Sequence, residues 1–230
     1  MVIVIARDEQ MMEWFKVIRI TNMQGIRWVL GALNGWDEPV SLRQAQGWCA
    51  RMEKAGLIER ARIAGVGGSL VWATHSAIGK SAPDLFRQTT RHEVAVSIAS
   101  ARYAAAGYSW QRDEKAASSF DHQTDGVAWQ GDVIDLVEVE LTAKRQQRYR
   151  GIFAAFRRRM SAGAAIRVTY LCTPDAARAV QTAMDDPSIG AGVSQWLHVE
   201  PVFDRTGLWV GDEQPEWLHR AEDDLSEVGA

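Results

Sequence analysis

Residues 41–74 read SLRQAQGWCARMEKAGLIERARIAGVGGSLVWAT, and the elements they encode decide the first half of the fold. Ser41 followed by Gln44 is a capping box, so a helix opens there. Leu42, Ala45, Cys49, Met52 and Leu57 recur at helical spacing as an inward stripe, with Arg43, Gln44, Gln46, Gly47, Arg51 and Lys54 largely outside it. Gly56 stands where a left-handed residue ends a helix. Leu57–Ile63 then predicts a strand, Gly65–Gly68 a turn and Ser69–Thr74 a returning strand. Upstream, Glu9–Ile20 and Gln24–Leu33 predict two more amphipathic helices. Three helices and a Gly-tipped hairpin is the order of a winged helix-turn-helix.

A helix ~10–12 Å wide fits the ~12 Å major groove of duplex DNA, where outward Arg and Gln side chains reach base edges and phosphates. On this reading Arg43, Gln44, Gln46 and Arg51 face the groove, and Arg60 and Arg62 lie near phosphate in the hairpin. Trp28, Trp48 and Trp72 are expected in the core. Modules of this order also serve as dimer or docking units, and that alternative stays open here.

Beyond residue 80 the pattern changes. Arg91–Ala106 predicts a helix stopped by Gly107, with strands at Tyr108–Arg112, Asp125–Gln130 and Val133–Thr142, the last two joined by Gly131-Asp132. Lys144–Met160 predicts a helix with Tyr149, Ile152, Phe153, Phe156 and Met160 as its apolar stripe. A strand at Ile166–Cys172, a helix at Pro174–Met184 and a strand at Trp196–Val202 follow. Helices between strands require crossovers, so the expectation is an α/β class (α+β overall) with a mixed sheet and helices on both faces. The expected domains are 1–80, 81–205 and an acidic tail, 206–230.

In the third strand Val137, Val139 and Leu141 point one way, so Glu138 and Glu140 point the other. Asp125 opens the neighbouring strand, and setting it beside Glu138 would supply two hard oxygen ligands for Mg²⁺ or Mn²⁺. Such an ion activates water and neutralises charge on a phosphodiester. Lys144 would add positive charge beside the metal, and Glu93, on the first helix of this segment, would orient a ligand or water. The competing reading is a solvated strand face, and His122 reads as a polar loop residue.

The chain has 230 residues, 47% apolar and 24% charged, which excludes disordered and low-complexity classes. Apolar runs such as Met1–Ala6 and Ile152–Phe156 are far too short to span a bilayer, and MVIVIARDEQ lacks the form of a secretory signal. Cys49 and Cys172 are distant and single, which suits a reducing compartment, so a cytoplasmic protein without a membrane partner is expected. The net charge of −3 hides an asymmetry. Residues 1–165 carry 22 Lys/Arg against 17 Asp/Glu, and residues 166–230 carry 4 against 12. Seven of the cations fall between Lys144 and Arg159 with no acid among them, so a polyanion has a place to bind.

The ordered pieces WCARMEKAGLIERA, VWATHSAIG, RHEVAVSIA, W-Q-R-D-E, H-x-x-D and V-E-V-E-L-T-x-K resemble the plasmid replication-relaxation family of actinobacterial mobile elements, over roughly Leu42 to Arg150. The resemblance implies a winged helix-turn-helix followed by a domain similar to PD-(D/E)XK nucleases, and a role in plasmid or integrative-element DNA replication or transfer. Asp125 and Glu138 match the first two positions of the nuclease pattern. Glu140 stands where that pattern has Lys, with Lys144 as its substitute, and Thr124 stands where it has Pro.

The expectation is therefore a duplex-DNA-binding protein, with DNA binding ranked above cutting. Lys144, Arg145 and Arg148 would lie near the bound strand. The alternative is a non-enzymatic regulator or adaptor whose α/β domain forms a homodimer or docks a replication or conjugation protein. The acidic tail, with Trp209 and Trp217, would be a docking segment or a cover for the basic surface. No nucleotide-binding Gly-rich loop is present.

Overall fold

The computed structural model describes residues 3–63, 68–115, 121–163 and 167–219. They form two units. The first runs to Tyr108 and takes in residues 206–209 and 213–219; the second holds residues 109–205 and 210–212.

In the first unit, α1 (Ala6–Ile18), α2 (Met23–Ala32) and α3 (Leu42–Lys54) precede an antiparallel pair, β1 (Ile58–Arg62) and β2 (Ser69–Ala73). A short α4 (His75–Ile78) and a long α5 (Thr90–Ala105) follow. The Ser41–Gln44 capping box forms at the start of α3, and Asn22 caps α2 by accepting from the Gln24 and Gly25 amides. At the end of α3, Gly56 has φ +70°, and the Gly56 and Leu57 amides donate to the Glu53 and Met52 carbonyls. That double bond needs a left-handed residue, which glycine supplies without a Cβ clash. Gly65 and Gly67, the expected wing tip, lie outside the described residues.

The expected boundary near residue 80 is replaced by one near residue 108, because α5 packs into the first unit. At Gly25 a Cβ would sit 2.1 Å from Thr21 Oγ1, so only glycine lets α2 close on that neighbourhood, where Ser97 Oγ of α5 donates to Thr21 Oγ1 at 2.7 Å. Trp14 of α1 donates to Ser100 Oγ of α5 at 3.1 Å.

The second unit is a five-stranded mixed sheet in the order β3 (Ser109–Gln111), β4 (Gly126–Gln130), β5 (Val133–Glu140), β6 (Arg167–Cys172), β7 (Leu197–Glu200). The first two pairings are antiparallel and the last two parallel. Crossovers α6 (Gln146–Ser161) and α7 (Pro174–Asp185), with a short α8 (Pro187–Gly190), connect the parallel strands. The strands are laid down in one direction, and right-handed crossovers then put both helices on one face. Their apolar residues cluster with Leu136, Val168, Tyr170 and Cys172 of that face. On the opposite face Ala128, Val137, Val139, Thr169 and Leu171 are also buried.

After β7 the chain returns to the first unit, ending the described residues with α9 (Glu216–His219). Trp209 stacks on the Arg102 guanidinium, whose other side meets Trp28, each ring centroid 4.2 Å away. Gln24 bonds both the carbonyl and the amide of Trp209. Trp209, expected in a docking tail, is thus a core residue with 4% exposure. Residues 220–230 lie outside the described residues.

Candidate nucleic-acid interface

Alternation along β5 puts Leu136, Glu138 and Glu140 on the face that meets α6, in parallel register with Val168, Tyr170 and Cys172. β5 lies at the centre of the sheet, and both acids are buried, at 4% and 2% exposure. The solvated-face reading of these acids is therefore wrong: α6 packs over their face of the sheet. Asp125 precedes β4 with its amide bonded to the Val137 carbonyl, which sets it beside Glu138. Its Oδ2 accepts from the Val139 amide at 2.8 Å.

Each acid already has protein partners. Glu138 Oε1 shares a hydrogen bond of 2.7 Å with His122 Nε2. Glu140 accepts from the Lys144 ammonium, from the Lys144 amide at 3.2 Å and from the Tyr149 hydroxyl at 2.5 Å. Lys144 lies before α6 rather than in it, because its amide is used by Glu140 and Tyr149. Burial pushes the Glu138 carboxyl above its ordinary range; His122 and Lys144 oppose the push and the Asp125 charge adds to it. Burial and the Glu140 carboxylate raise the Tyr149 phenol. Burial, with the charges of Glu138 and Glu140, raises Tyr170, whose buried hydroxyl has no hydrogen-bond partner.

A cleft of about 680 Å³ runs along α6, lined by Lys144, Arg145, Arg148 and Arg158, with Asp121 and His122 from the segment before β4. Arg145 and Arg148 are exposed, and α6 has no acid in its first turn. Asp113, from the W-Q-R-D-E stretch, accepts from the Thr124 amide and hydroxyl and from both Arg159 terminal nitrogens. This pins the segment carrying His122 and Asp125 to the end of α6, so Arg159 is a structural cation. The reading singled out neither Asp113 nor the His122–Glu138 pair; the only sequence signal was their place in the two short motifs.

In the first unit, α3 buries Ala45, Trp48, Cys49 and Met52 and exposes Leu42, Arg43, Gln44, Gln46, Gly47 and Lys54. Arg51 is a correction. Its guanidinium grips Asp8 through two 2.7 Å bonds and reaches the Ile3 carbonyl, so it faces its own unit. Gln44 spends its side-chain oxygen on the Ser41 amide and hydroxyl. Arg60 is paired with Glu53 of α3, and Arg62 is exposed. Glu93 sits in the first turn of α5, in the first unit.

Among the described residues no three His, Cys, Asp or Glu side chains are placed to share an ion. One oxygen of Asp125 accepts from the Val139 amide and one of Glu138 meets His122, while both oxygens of Glu140 are taken by Lys144 and Tyr149. Cys49 and Cys172 are free and buried, and no helix among the described residues is long and apolar enough to cross a membrane. No family model, curated protein or solved structure matches this chain.

Proposed function

We propose that this chain is a duplex-DNA-binding protein that binds without cutting, acting in the replication or transfer of a plasmid or integrative mobile element. The observation that carries it is the two-sided character of α3. Its apolar stripe is spent on its own core, while Arg43, Gln46, Gly47 and Lys54 form a polar face beside a hairpin that exposes Arg62. A helix so presented has the width and side chains for a major groove, and the hairpin cation suits an adjacent phosphate. The mobile-element role rests on the ordered motifs between Leu42 and Arg150. Ranking binding above cutting is supported by the internal partners of Glu140, both of whose oxygens are engaged, and by the Glu where the nuclease pattern has Lys.

Titration of the full chain with labelled duplex DNA across a salt series tests the proposal. Log affinity should fall linearly with log salt, at about −0.9 per phosphate neutralised, and Arg62→Ala should reduce that slope by about 1. Arg43→Ala combined with Gln46→Ala should weaken binding, and supercoiled plasmid with Mg²⁺ or Mn²⁺ should stay intact. Absence of duplex binding at low salt would overturn the reading, and metal-dependent nicking would overturn its non-cutting half.

A further inference from the structure

We infer that the cleft along α6 seats a phosphodiester backbone, with Gly151 as the point of closest approach and His122, held by Glu138, as a contact from the segment before β4. The inference rests on the DNA-binding reading and assigns a second site to it.

Four observations converge. First, the lining is cationic: Lys144, Arg145, Arg148 and Arg158 outnumber Asp121, which lies 4.0 Å from Arg158. Second, two exposed cations, Arg145 and Arg148, stand at the start of α6, where the helix dipole is positive and acids are normally preferred. The arrangement is unfavourable in the protein alone, and an anion relieves it.

Third, Gly151 lies within the sixteen-residue α6, exposed, with nothing within 4 Å of where its Cβ would be. A glycine inside a helix is less stable than alanine there, because it loses more backbone freedom. No neighbour in the protein requires it, whereas a backbone lying against the helix would. Gly151 follows Arg148 by three residues and precedes Arg158 by seven, so the three share one face of α6. Ten residues at 1.5 Å each give a stripe of about 15 Å, longer than a single phosphate group. The ligand class is thus a strand rather than a free anion.

Fourth, His122 is oriented before any ligand arrives. Its Nε2 is bonded to Glu138, and its ring meets Phe156 edge-on at 5.6 Å. The remaining ring nitrogen has no hydrogen-bond partner among the described residues, and the side chain is 21% exposed at the cleft.

The full chain with Gly151→Ala and Gly151→Leu supplies the test, because stability and binding should move in opposite directions. Gly151→Ala should raise the thermal midpoint by removing a helical glycine, while weakening binding to a labelled duplex. Gly151→Leu should remain folded and weaken binding roughly 10-fold or more. In the wild type, DNA should shift the His122 ring resonances, and in Gly151→Leu it should not. Folded Gly151→Leu binding as tightly as wild type would overturn the inference while leaving the α3 reading intact. Inorganic phosphate shifting His122 fully, with DNA leaving it unmoved, would overturn it in favour of a small-anion site. Wild type failing to bind duplex at all would remove both.

Discussion

Asp8 and Glu138 are both fully or almost fully buried carboxylates, one in each unit, and they are treated in opposite ways. Asp8 receives two bonds from Arg51, one from the Trp48 indole at 2.9 Å and one from the Ile5 amide at 3.0 Å. Burial pulls its pKa up, but these donors outweigh it and hold the carboxyl below the ordinary range. Glu138 has His122 as its hydrogen-bond partner, lies beside Asp125, and ends above the ordinary range. A carboxylate saturated with donors is a fastener. One left short of donors at the edge of a cationic cleft is held in a state that a ligand can alter, which is where function is usually found. Counting donors separates the two where burial alone does not.

The sharpest check on this contrast is Asp8→Ala. Removing the buried carboxylate leaves the buried Trp48 indole without its acceptor and breaks the Arg51 bonds, and the expected loss is about 1–3 kcal/mol in urea unfolding. A loss under about 1 kcal/mol would erase the distinction. The depressed folded-state pKa also fixes a pH window. The stabilisation from Asp8 is present above its unfolded value near 4 and is lost as pH falls through the lower folded value, so the acid limb of wild-type stability should flatten in Asp8→Asn.

For Glu138 the sign reverses. Its folded pKa lies above the unfolded value, so its contribution is complete below the unfolded pKa and disappears as pH rises through the folded one. Glu138→Gln should therefore gain on wild type as pH is raised from 4 to 7, measured as the difference in thermal midpoint. A difference that shrinks over that range would show Glu138 to be as well satisfied as Asp8. The smallest effect belongs to Tyr170→Phe. The lost hydroxyl has no partner, so the variant should match wild type or gain up to about 1 kcal/mol. A clear loss would reveal a donor or acceptor that the Glu138 neighbourhood does contain.

Local chemistry made much of this legible in advance. The Ser41–Gln44 box, the Gly56 stop and the Gly131-Asp132 turn are encoded within a few residues of where they act. Alternation along β5 was enough to set Glu138 opposite Val137 and beside Asp125. What escaped the reading depends on partners far away in the chain. Arg51 meets Asp8 across 43 residues and Arg159 meets Asp113 across 46, and no periodicity announces either pair. Arg51 is expected to face the groove for that reason. The burial of Glu138 and Glu140 was missed because it depends on β5 taking the middle of the sheet, which only the crossovers decide. The return of residues 206–219 was hidden by their acidity, which resembles a solvated tail.

That return sets a timetable for biosynthesis. Gln24 waits 185 residues for Trp209, and at translation speeds of about 5–20 residues per second the delay is roughly 10–40 seconds. Until then Arg102 has Trp28 on one side and nothing from the C-terminal segment on the other. The N-terminal unit emerges first and is completed last, so the nascent chain must keep an aromatic berth open while the whole second unit is made.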